Sequence, residues 1–322
     1  MKPTVFLTRQ LPPAVMERLA RETDLAWQRE DRVATRAEVI AGMKGRQALF
    51  CNILDQVDGE LLDACPGVKV IVNFGVGFNN IDVAAATARK IPVTNTPGVL
   101  TDATADMTFA LLLAVARRLG EGERIIRANK WVGWQPLQLL AADVTGATLG
   151  VIGFGRIGQA VARRAKAFGM RVIYWNRGAV REPIAFEATR MSFESVLRQS
   201  DFVSLHVAYN SNTHHLLDEP QFALMKPTAF VINTARGAVI NEAALVQALQ
   251  TKRIAGAALD VFEREPQITP GLAELENVVL APHLGSATIG TRTQMGMIAT
   301  DNLLAVCAGR RPPNCVNPEA LA

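Results

Sequence analysis

The chain has 322 residues, 49% hydrophobic and 20% charged, a composition typical of a folded protein with room for two domains. Its 34 Lys and Arg against 30 Asp and Glu give a net charge of +4 with dispersed basic residues, so neither nucleic acid nor a membrane surface is indicated as a partner. Charges or turn residues interrupt every apolar run before the roughly 18 residues of a membrane span, and the N-terminal stretch is too short in apolar residues for a signal peptide.

The cysteines give no sign of a metal site. Cys51, Cys65, Cys307 and Cys315 are widely scattered and match no metal-ligand spacing. Unpaired thiols are typical of a reducing compartment. We therefore predict a cytoplasmic protein without a bound metal.

The first hundred residues alternate between strand-like and helix-like segments. The strand-like segments are PTVFLT (3–8), QALFCN (47–52), VKVIVN (68–73) and IPVTN (91–95). The helix-like segments are PAVMERLARE (13–22), RAEVIAGM (36–43), GELLDAC (59–65) and VAAATARK (83–90). Continuous apolar strands spaced by amphipathic helices predict a parallel sheet covered on both faces.

A second alternating series follows a long helical segment, which is predicted from Thr101 to about Ala128. Its six strand-like segments are ATLGVIG, RVIYW, DFVSLH, AFVINT, AGAALD and NVVLAP, the number expected of a full doubly wound nucleotide domain. The tail from about Ala287 is helical again and ends near the turn at 309–313. Two doubly wound α/β domains are predicted, with 96–98 as a candidate hinge.

A glycine-rich turn opens the second series. Gly153, Gly155 and Gly158 follow a strand and precede a helix, which is the setting of a dinucleotide-binding turn. The first glycine permits the tight turn, the second lets a pyrophosphate approach the backbone, and the third lets helix and strand pack closely. The start of the following helix offers unpaired N–H groups to phosphates.

The second strand of this series ends in YWNRG (174–178). An NAD-binding chain usually carries an acid here, about 20 residues past the glycines, to bind the ribose 2′-hydroxyl. Asn176 is neutral, and the guanidinium of Arg177 could pair with a 2′-phosphate through charge-assisted bonds. The pair predicts selection of NADP(H), with NAD(H) still possible; a solvated loop cation is the alternative interpretation of Arg177.

Three later segments place polar residues at the ends of strands, where ligands bind in open α/β sheets. Arg236 follows one apolar strand and is suited to clamp a carboxylate. Glu265 lies in a turn-rich loop, and His283 follows another strand. A histidine held by a carboxylate can donate a proton to a carbonyl oxygen near neutral pH. Taken singly, the first two could be surface charges and the histidine a helix cap.

Several motifs in order together resemble the D-isomer-specific 2-hydroxyacid dehydrogenase family, and within it the glyoxylate/hydroxypyruvate reductases. The resemblance covers essentially the whole chain. The matching stretches are NFGVGFNNID (73–82), GVLTDATADMTFALLLAVARR (98–118), GVIGFGRIGQAVARRAKAFGM (150–170), NTARGAVI (233–240), ALDVFEREP (258–266) and APHLGSAT (281–288). The resemblance implies a Rossmann cofactor domain over 99–287 and a flavodoxin-like substrate (lid) domain over 1–98 plus 288–322, which is discontinuous because the last helix returns to it.

The same resemblance assigns roles to individual residues. The catalytic set is Arg236, Glu265 as the support of the histidine, and His283 as the acid/base. The predicted substrate-binding residues are Val76 and Gly77 (through their backbone N–H groups), Arg236, Ser286 and Trp134. The predicted cofactor-binding residues are Thr104, Gly153, Gly155, Arg156, Ile157, Gly158, Asn176, Arg177, Thr234, Asp260, His283 and Ser286.

Some features lie outside the family pattern or have no assigned role. Ala208 stands where relatives often have proline, which affects the local loop rather than the chemistry. His206, His214 and His215 are expected to be structural or exposed. Trp131 and Trp134 resemble a segment that these reductases bring to a neighbouring subunit, with ordinary interface packing as the alternative, and a homodimer is predicted.

The resemblance implies NADPH-preferring reduction of small 2-oxo acids, glyoxylate and hydroxypyruvate, to D-2-hydroxy acids. A 2-ketogluconate or arylpyruvate reductase of the same fold is one alternative. A corepressor-like protein that senses nicotinamide nucleotides by binding them, without turnover, is another. Steady turnover of a 2-oxo acid distinguishes the enzymes from the binding protein.

Overall fold

A computed structural model describes residues 1–180 and 185–322. The chain divides into two compact units. Unit 1 comprises Met1–Leu100 and Ala287–Ala322, and unit 2 comprises Thr101–Ser286. Within the described ranges, no helix is long and apolar enough to cross a membrane.

The described residues form twelve β-strands and eleven α-helices. The strands are β1 (Thr4–Leu7), β2 (Asp24–Trp27), β3 (Ala48–Asn52), β4 (Val70–Phe74), β5 (Val93–Thr94), β6 (Thr148–Ile152), β7 (Arg171–Trp175), β8 (Thr189–Arg190), β9 (Phe202–Leu205), β10 (Phe230–Asn233), β11 (Gly256–Leu259) and β12 (Val278–Leu280). The helices are α1 (Pro13–Glu22), α2 (Arg36–Met43), α3 (Gly59–Ala64), α4 (Val83–Ala88), α5 (Thr101–Ala116), α6 (Leu119–Arg127), α7 (Arg156–Ala167), α8 (Phe193–Gln199), α9 (Glu219–Leu224), α10 (Glu242–Gln250) and α11 (Ile289–Cys307).

Unit 1 is a parallel sheet in the order β2-β1-β3-β4-β5, the flavodoxin-like order. Strands β1, β3 and β4 are almost wholly buried because helices cover both faces of the sheet. Helices α1 and α11 pack on one face, through residues that include Leu19 and Leu303, and α2, α3 and α4 contribute to the core on the other. The predicted parallel sheet with two covered faces is confirmed. Strand β2 was not anticipated because its four residues, DLAW, are only partly buried.

Unit 2 is a seven-stranded parallel sheet in the order β12-β11-β10-β9-β6-β7-β8, the doubly wound Rossmann arrangement with one further strand. The six predicted strands are all present. The seventh, β8, consists of two exposed residues that pair with β7. It carries no apolar signal, so the pattern of the sequence could not reveal it.

The helical segment expected from Thr101 to about Ala128 is helical over most of its length, but it divides into two helices. Helix α5 ends at Ala116, and Arg118 adopts a left-handed conformation (φ 52°) before α6 begins. The guanidinium of Arg118 is then bonded to Glu121 in the first turn of α6. Half of the residues of α5 are buried and none of α6, so tertiary packing separates two segments of similar helical propensity.

The strand ends of unit 2 bring several predicted site residues to one edge of the sheet. In a parallel sheet the carboxyl ends of all strands lie on the same side. The residues that follow β6, β7, β9, β10 and β11 there are Gly153, Asn176, His206, Thr234 and Asp260, in that order.

Candidate active site

The glycine turn between β6 and α7 is built as the sequence predicts. Gly153 has φ +94°, and a Cβ there would lie 2.6 Å from the carbonyl carbon of His206. A Cβ on Gly158 would lie 2.2 Å from the carbonyl oxygen of Gly153, whereas a Cβ on Gly155 would meet nothing within 4 Å. The first and third glycines therefore allow close packing, and the second leaves open space beside the backbone.

The start of α7 is suited to a phosphate group. Gly155 is the N-cap, and no side chain of the described residues caps the helix. Arg156 is exposed, Ile157 packs partly against the core, and both lie in the first turn. Four N–H groups at a helix start lack intrahelical partners and carry the positive end of the dipole. The turn therefore fits the pyrophosphate of a dinucleotide; binding by these residues stays a prediction.

Asn176 has a structural role that the sequence did not reveal. Its Oδ1 accepts a hydrogen bond from the N–H of Phe154 at 3.1 Å, and its Nδ2 donates to the carbonyl of Gly178 at 3.0 Å. It therefore joins the end of β7 to the glycine turn. Arg177 is exposed and forms no ion pair with any residue that the structure describes.

A neutral histidine supports the same turn. His206 follows β9 and shares a hydrogen bond of 2.7 Å between its Nε2 and the hydroxyl of Ser204. Burial lowers the pKa of His206 to about 3, so its ring is uncharged at neutral pH. Its backbone closes against Gly153. The expectation that His206 is structural agrees with this geometry.

His283 and Glu265 form a hydrogen-bonded pair, which sequence spacing alone could not establish. Nδ1 of His283 lies 2.9 and 3.1 Å from the two carboxylate oxygens of Glu265. The N–H of Phe262 also donates to this carboxylate, at 3.1 Å. The side chains of the pair are 27% and 18% exposed, so Nε2 of the histidine is the ring nitrogen left for another partner.

Glu265 is ionised more readily than an ordinary glutamate. Burial alone would raise its pKa, but the hydrogen bond and charge of His283 lower it, with help from the Phe262 N–H and the charge of Arg236. The result is a lowered pKa for Glu265. An ionised carboxylate at this position is a strong acceptor for the N–H of Nδ1 of His283.

Asp260 holds the backbone that follows His283. Its two carboxylate oxygens accept from the N–H groups of Leu284 (2.6 Å) and Gly285 (2.7 Å), and its carbonyl accepts from the N–H of His283 at 2.9 Å. Burial raises the pKa of Asp260, although these two N–H groups oppose the shift. The contact with nicotinamide that the family resemblance implies stays a prediction.

Arg236 follows β10, and its charge and that of Glu265 each affect the pKa of the other. Its Nη1 donates to the carbonyl of Ala235 at 2.8 Å, and its own carbonyl accepts from Nδ2 of Asn233 at 2.9 Å. A Cβ on Gly237 would lie 1.8 Å from the carbonyl carbon of Phe262, so the Arg236 segment packs directly on the Glu265 loop. Burial lowers the pKa of Arg236, and the charge of Glu265 opposes that shift.

Threonines connect α5 to this edge of the sheet. Thr108 donates to the carbonyl of Thr104 at 2.8 Å, and its hydroxyl lies 2.9 Å from that of Thr234. A Cβ on Gly285 would lie 3.5 Å from Thr104. Thr104 and Thr234 therefore lie close to the loop after His283, where Ser286 is partly buried.

A second histidine–glutamate pair, which the sequence analysis missed, involves the loop that carries Glu265. Nε2 of His215 is 2.9 Å from Oε1 of Glu263, and the His215 N–H donates to the carbonyl of Ala238. The N–H of Glu263 in turn donates to the buried carboxylate of Glu242 at 2.7 Å. This pair ties the loop to the segment after Arg236.

The other predicted residues lie elsewhere. Val76 and Gly77 belong to unit 1, in the partly exposed loop after β4. Trp134 is 82% exposed in the segment between α6 and β6. Among the residues that the structure describes, no group of three or more His, Cys, Asp or Glu could hold a metal ion.

A Rossmann sheet with a glycine turn, together with a carboxylate-supported histidine in the same unit, defines a nicotinamide-dependent oxidoreductase. The family model for the NAD-binding domain of D-isomer-specific 2-hydroxyacid dehydrogenases matches residues 109–285. The chain belongs to this family, as the sequence predicted, and is an oxidoreductase that acts on CH–OH groups with a nicotinamide cofactor.

Similar proteins extend over the whole chain. A glyoxylate reductase from Thermococcus litoralis is 47% identical over 328 residues, covering 100% of this chain and 98% of that protein. A crystal structure from Thermus thermophilus is 45% identical, with a TM-score of 0.89 over 97% of this chain and 99% of that one. The NADPH-dependent glyoxylate/hydroxypyruvate reductase from Sinorhizobium meliloti, in complex with NADP and malonate, is 34% identical, with a TM-score of 0.89 over 99% and 98%.

Proposed function

We propose that this enzyme reduces small 2-oxo acids, glyoxylate to glycolate and hydroxypyruvate to D-glycerate, with NADPH preferred. The observation that carries the proposal is the pairing of Nδ1 of His283 with Glu265, which leaves Nε2 to act as a proton donor. Similarity to a glyoxylate reductase and to an NADPH-dependent glyoxylate/hydroxypyruvate reductase supports the choice of substrates.

The chemistry requires two electrons and two hydrogens to reach the ketone. A bound nicotinamide supplies a hydride, with its electron pair, to C2. Protonated His283 gives its Nε2 proton to the carbonyl oxygen and becomes neutral, which completes the alcohol. The carboxylate of Glu265 stabilises the protonated ring before transfer and fixes its orientation. Solvent then returns a proton to His283.

The substrate carboxylate is assigned to Arg236 and to the N–H groups of Val76 and Gly77. A guanidinium binds a carboxylate through two parallel hydrogen bonds, and backbone N–H groups add to the fixed positive field. Burial lowers the pKa of Arg236, but an arginine side chain is not deprotonated in proteins, so the guanidinium keeps its charge. These assignments rest on the family resemblance.

Preference for NADPH is assigned to the end of β7. Asn176 places no acid there, and Arg177 is an exposed cation beside the glycine turn. An exposed arginine can reach a 2′-phosphate, and an acid would repel it. We expect Arg177→Ala to lower kcat/KM with NADPH by roughly 10-fold, the low end for a charge-assisted contact because Arg177 is solvated, and to leave NADH nearly unchanged.

The matched control for this change is Arg171→Ala. Arg171 is an exposed arginine at the opposite, amino-terminal end of the same strand. Both variants lower the net charge by one, so a general electrostatic effect would lower NADPH efficiency in both. Equal ratios of NADPH to NADH efficiency in wild type and Arg177→Ala, at one ionic strength, would contradict the assignment.

The test of the proposed activity is an initial-rate panel of 2-oxo acids with NADPH and with NADH. Glyoxylate and hydroxypyruvate are expected to have the highest kcat/KM. A higher value for an arylpyruvate or 2-ketogluconate would replace the proposed substrates. Cofactor binding without turnover of any 2-oxo acid would instead indicate a binding protein.

Assembly as a homodimer is also proposed. None of the residues of α6 is buried. Large apolar side chains are exposed from α6 through the following segment: Leu119, Ile126, Trp131, Val132, Trp134, Leu137 and Leu140. Apolar side chains concentrated in one exposed segment indicate an interaction surface, and two-fold pairing is the commonest arrangement.

A further inference from the structure

In the loop after β4, the carbonyl oxygens of residues 75–77 are all bound within unit 1. The carbonyl of Gly75 accepts from the N–H of Thr96 at 3.0 Å, and also from Nδ2 of Asn73 at 3.4 Å. The carbonyl of Val76 accepts from Nδ2 of Asn95 at 2.8 Å. The carbonyl of Gly77 accepts from Nδ2 of Asn73 at 2.9 Å. Side-chain amides thus bind each of the three carbonyls in turn.

Binding of these carbonyls determines where the N–H groups point. In a planar trans peptide, the C=O of one residue and the N–H of the next point in opposite directions. Asn73 and Thr96 hold the carbonyl of Gly75, so they turn the N–H of Val76 the other way. Asn95 holds the carbonyl of Val76 and orients the N–H of Gly77 likewise.

The two N–H groups are left without a partner in the described part of the chain. Neither Val76 nor Gly77 donates a backbone hydrogen bond to any described residue. Both residues are partly exposed. Donors that are held in place and unsatisfied are suited to bind an anion, because no reorganisation is required before binding.

Asn95 is itself held in position from α11. Its carbonyl accepts from Nδ2 of the fully buried Asn302 at 3.1 Å, and its N–H donates to the carbonyl of Asn314 at 3.3 Å. The backbone of Asn95 therefore cannot shift without breaking contacts with the C-terminal part of unit 1. Its side-chain amide projects from this fixed point to the carbonyl of Val76.

We propose that Asn95 and Asn73 are positioning residues for the substrate carboxylate. They bind the carbonyls of the loop 75–77 and so aim the N–H groups of Val76 and Gly77, without touching the substrate. The inference rests on the proposed function, since it concerns the loop assigned there to the carboxylate. The side-chain amides of Asn73 and Asn95, acting as hydrogen-bond donors, thereby set the affinity of residues 75–77 for the substrate carboxylate.

Two substitutions of Asn95 test the proposal, one that removes the hydrogen-bond donor and one that replaces it with an acceptor. Asn95→Ala removes the donor, whereas Asn95→Asp keeps the shape and places a carboxylate oxygen against the carbonyl of Val76, which repels it. We expect KM for glyoxylate to rise roughly 3- to 10-fold in Asn95→Ala and further in Asn95→Asp. In Asn95→Ala, kcat is expected to stay within about threefold, because carboxylate binding contributes alike to ground state and transition state.

Asn317→Ala is the matched control. Asn317 is a buried asparagine of the same unit, and its Nδ2 donates to the carbonyl of Ile91 at 3.1 Å and to the Thr87 hydroxyl. The change removes these donors and the acceptor of the Val93 N–H, but no contact of residues 75–77, so it is expected to lower the melting temperature without raising KM. A role limited to folding would make KM in all three variants follow thermal stability.

A binding measurement separates this proposal from the proposed function. Oxamate, a 2-oxo acid analogue that is not reduced, is titrated calorimetrically into the NADPH-loaded protein. Weaker binding in both Asn95 variants, with the dissociation constant of NADPH within twofold of wild type, supports the positioning role. Wild-type affinity for oxamate in Asn95→Asp overturns it while the enzymatic function stands. Absence of both oxamate binding and 2-oxo acid turnover in the wild type overturns both.

Discussion

Replacing Glu265 with glutamine removes one negative charge from beside His283 while keeping the size of the side chain. A glutamine oxygen at the position of Oε1 can still accept from Nδ1 of His283, now 3.1 Å away, and from the N–H of Phe262. Orientation of the ring is therefore kept, and the charge-assisted part of the hydrogen bond is lost. Because the proposed reduction takes a proton from the imidazole that this bond supports, the variant should have a lower kcat/KM than the wild type.

The distances give the size of the effect. The Nδ1-to-carboxylate distance of 2.9 Å is that of a charge-assisted hydrogen bond, which contributes about 1.5 to 3 kcal/mol. With side chains of His283 and Glu265 only 27% and 18% exposed, the smaller values measured for fully solvated pairs do not apply. Loss of this energy corresponds to a roughly 10- to 150-fold lower kcat/KM.

The assay is kcat/KM for glyoxylate with NADPH at neutral pH. Glu263→Gln is the control, since Glu263 pairs with His215 at the same 2.9 Å in the same loop but has no part in the proposed proton transfer. We expect the control to keep the wild-type kcat/KM. An unchanged kcat/KM in Glu265→Gln, or the same loss in both variants, would refute the assignment of His283 as the proton donor supported by Glu265.

Acid stability gives a second measurement on the same variant. The folded-state pKa of Glu265 lies below its ordinary value of 4.5, so the stabilisation from ionised Glu265 is fully present above that pH. It is lost as the pH falls through the folded-state pKa. The difference in unfolding free energy between wild type and Glu265→Gln should therefore be constant at neutral pH and shrink below about pH 4.5.

Three other changes give distinct results. Arg236→Lys keeps the charge but loses the two-pronged guanidinium, so KM for the oxo acid should rise and kcat fall; an effect on NADPH binding alone would move Arg236 to the cofactor site. The carboxylate of Asp260 accepts from the N–H groups of Leu284 and Gly285 at 2.6 and 2.7 Å, and Asp260→Asn places an NH2 group against one of them. The change should lower the melting temperature by roughly 2–6 °C and also lower kcat. Wild-type values of both would contradict the role of Asp260 in holding this backbone. Sedimentation at micromolar concentration should show twice the chain mass of 34.8 kDa, with Trp134→Ser weakening the assembly; a species of one chain mass in the wild type would exclude the dimer.

The sequence by itself determined the architecture and the chemical class. Runs such as VFL and VIVN are apolar at every position or nearly so, which is typical of strands buried on both faces, and the helices between them require parallel crossovers. The two sheets follow from that alternation. The glycine turn was also predictable from sequence. A side chain at 153 or 158 would collide with backbone atoms, so this turn requires glycine at both positions and the glycine spacing identifies it.

Pairings between distant residues depended on the tertiary structure. Both glutamates at 263 and 265 lie in one loop, and the chain has four histidines, so spacing alone does not say which carboxylate supports which ring; the family resemblance assigned Glu265 to His283. The ends of β11 and β12 bring Glu265 to His283, and the turn after β9 brings Glu263 to His215. The contacts of Asn176 with Phe154 and of Asn95 with Val76 likewise join separate strand ends.

The break between α5 and α6 and the short strands β2 and β8 have a similar origin. The helix-like pattern continues through Arg117 and Arg118, whereas burial is lost after Ala116, where the first helix ends. β2 and β8 are edge strands whose residues gain their conformation from hydrogen bonds to one neighbour. Hydrophobic period is a property of neighbours in the chain and so is readable from sequence, whereas side-chain pairing across strand ends is set by register and packing, which only the folded chain determines.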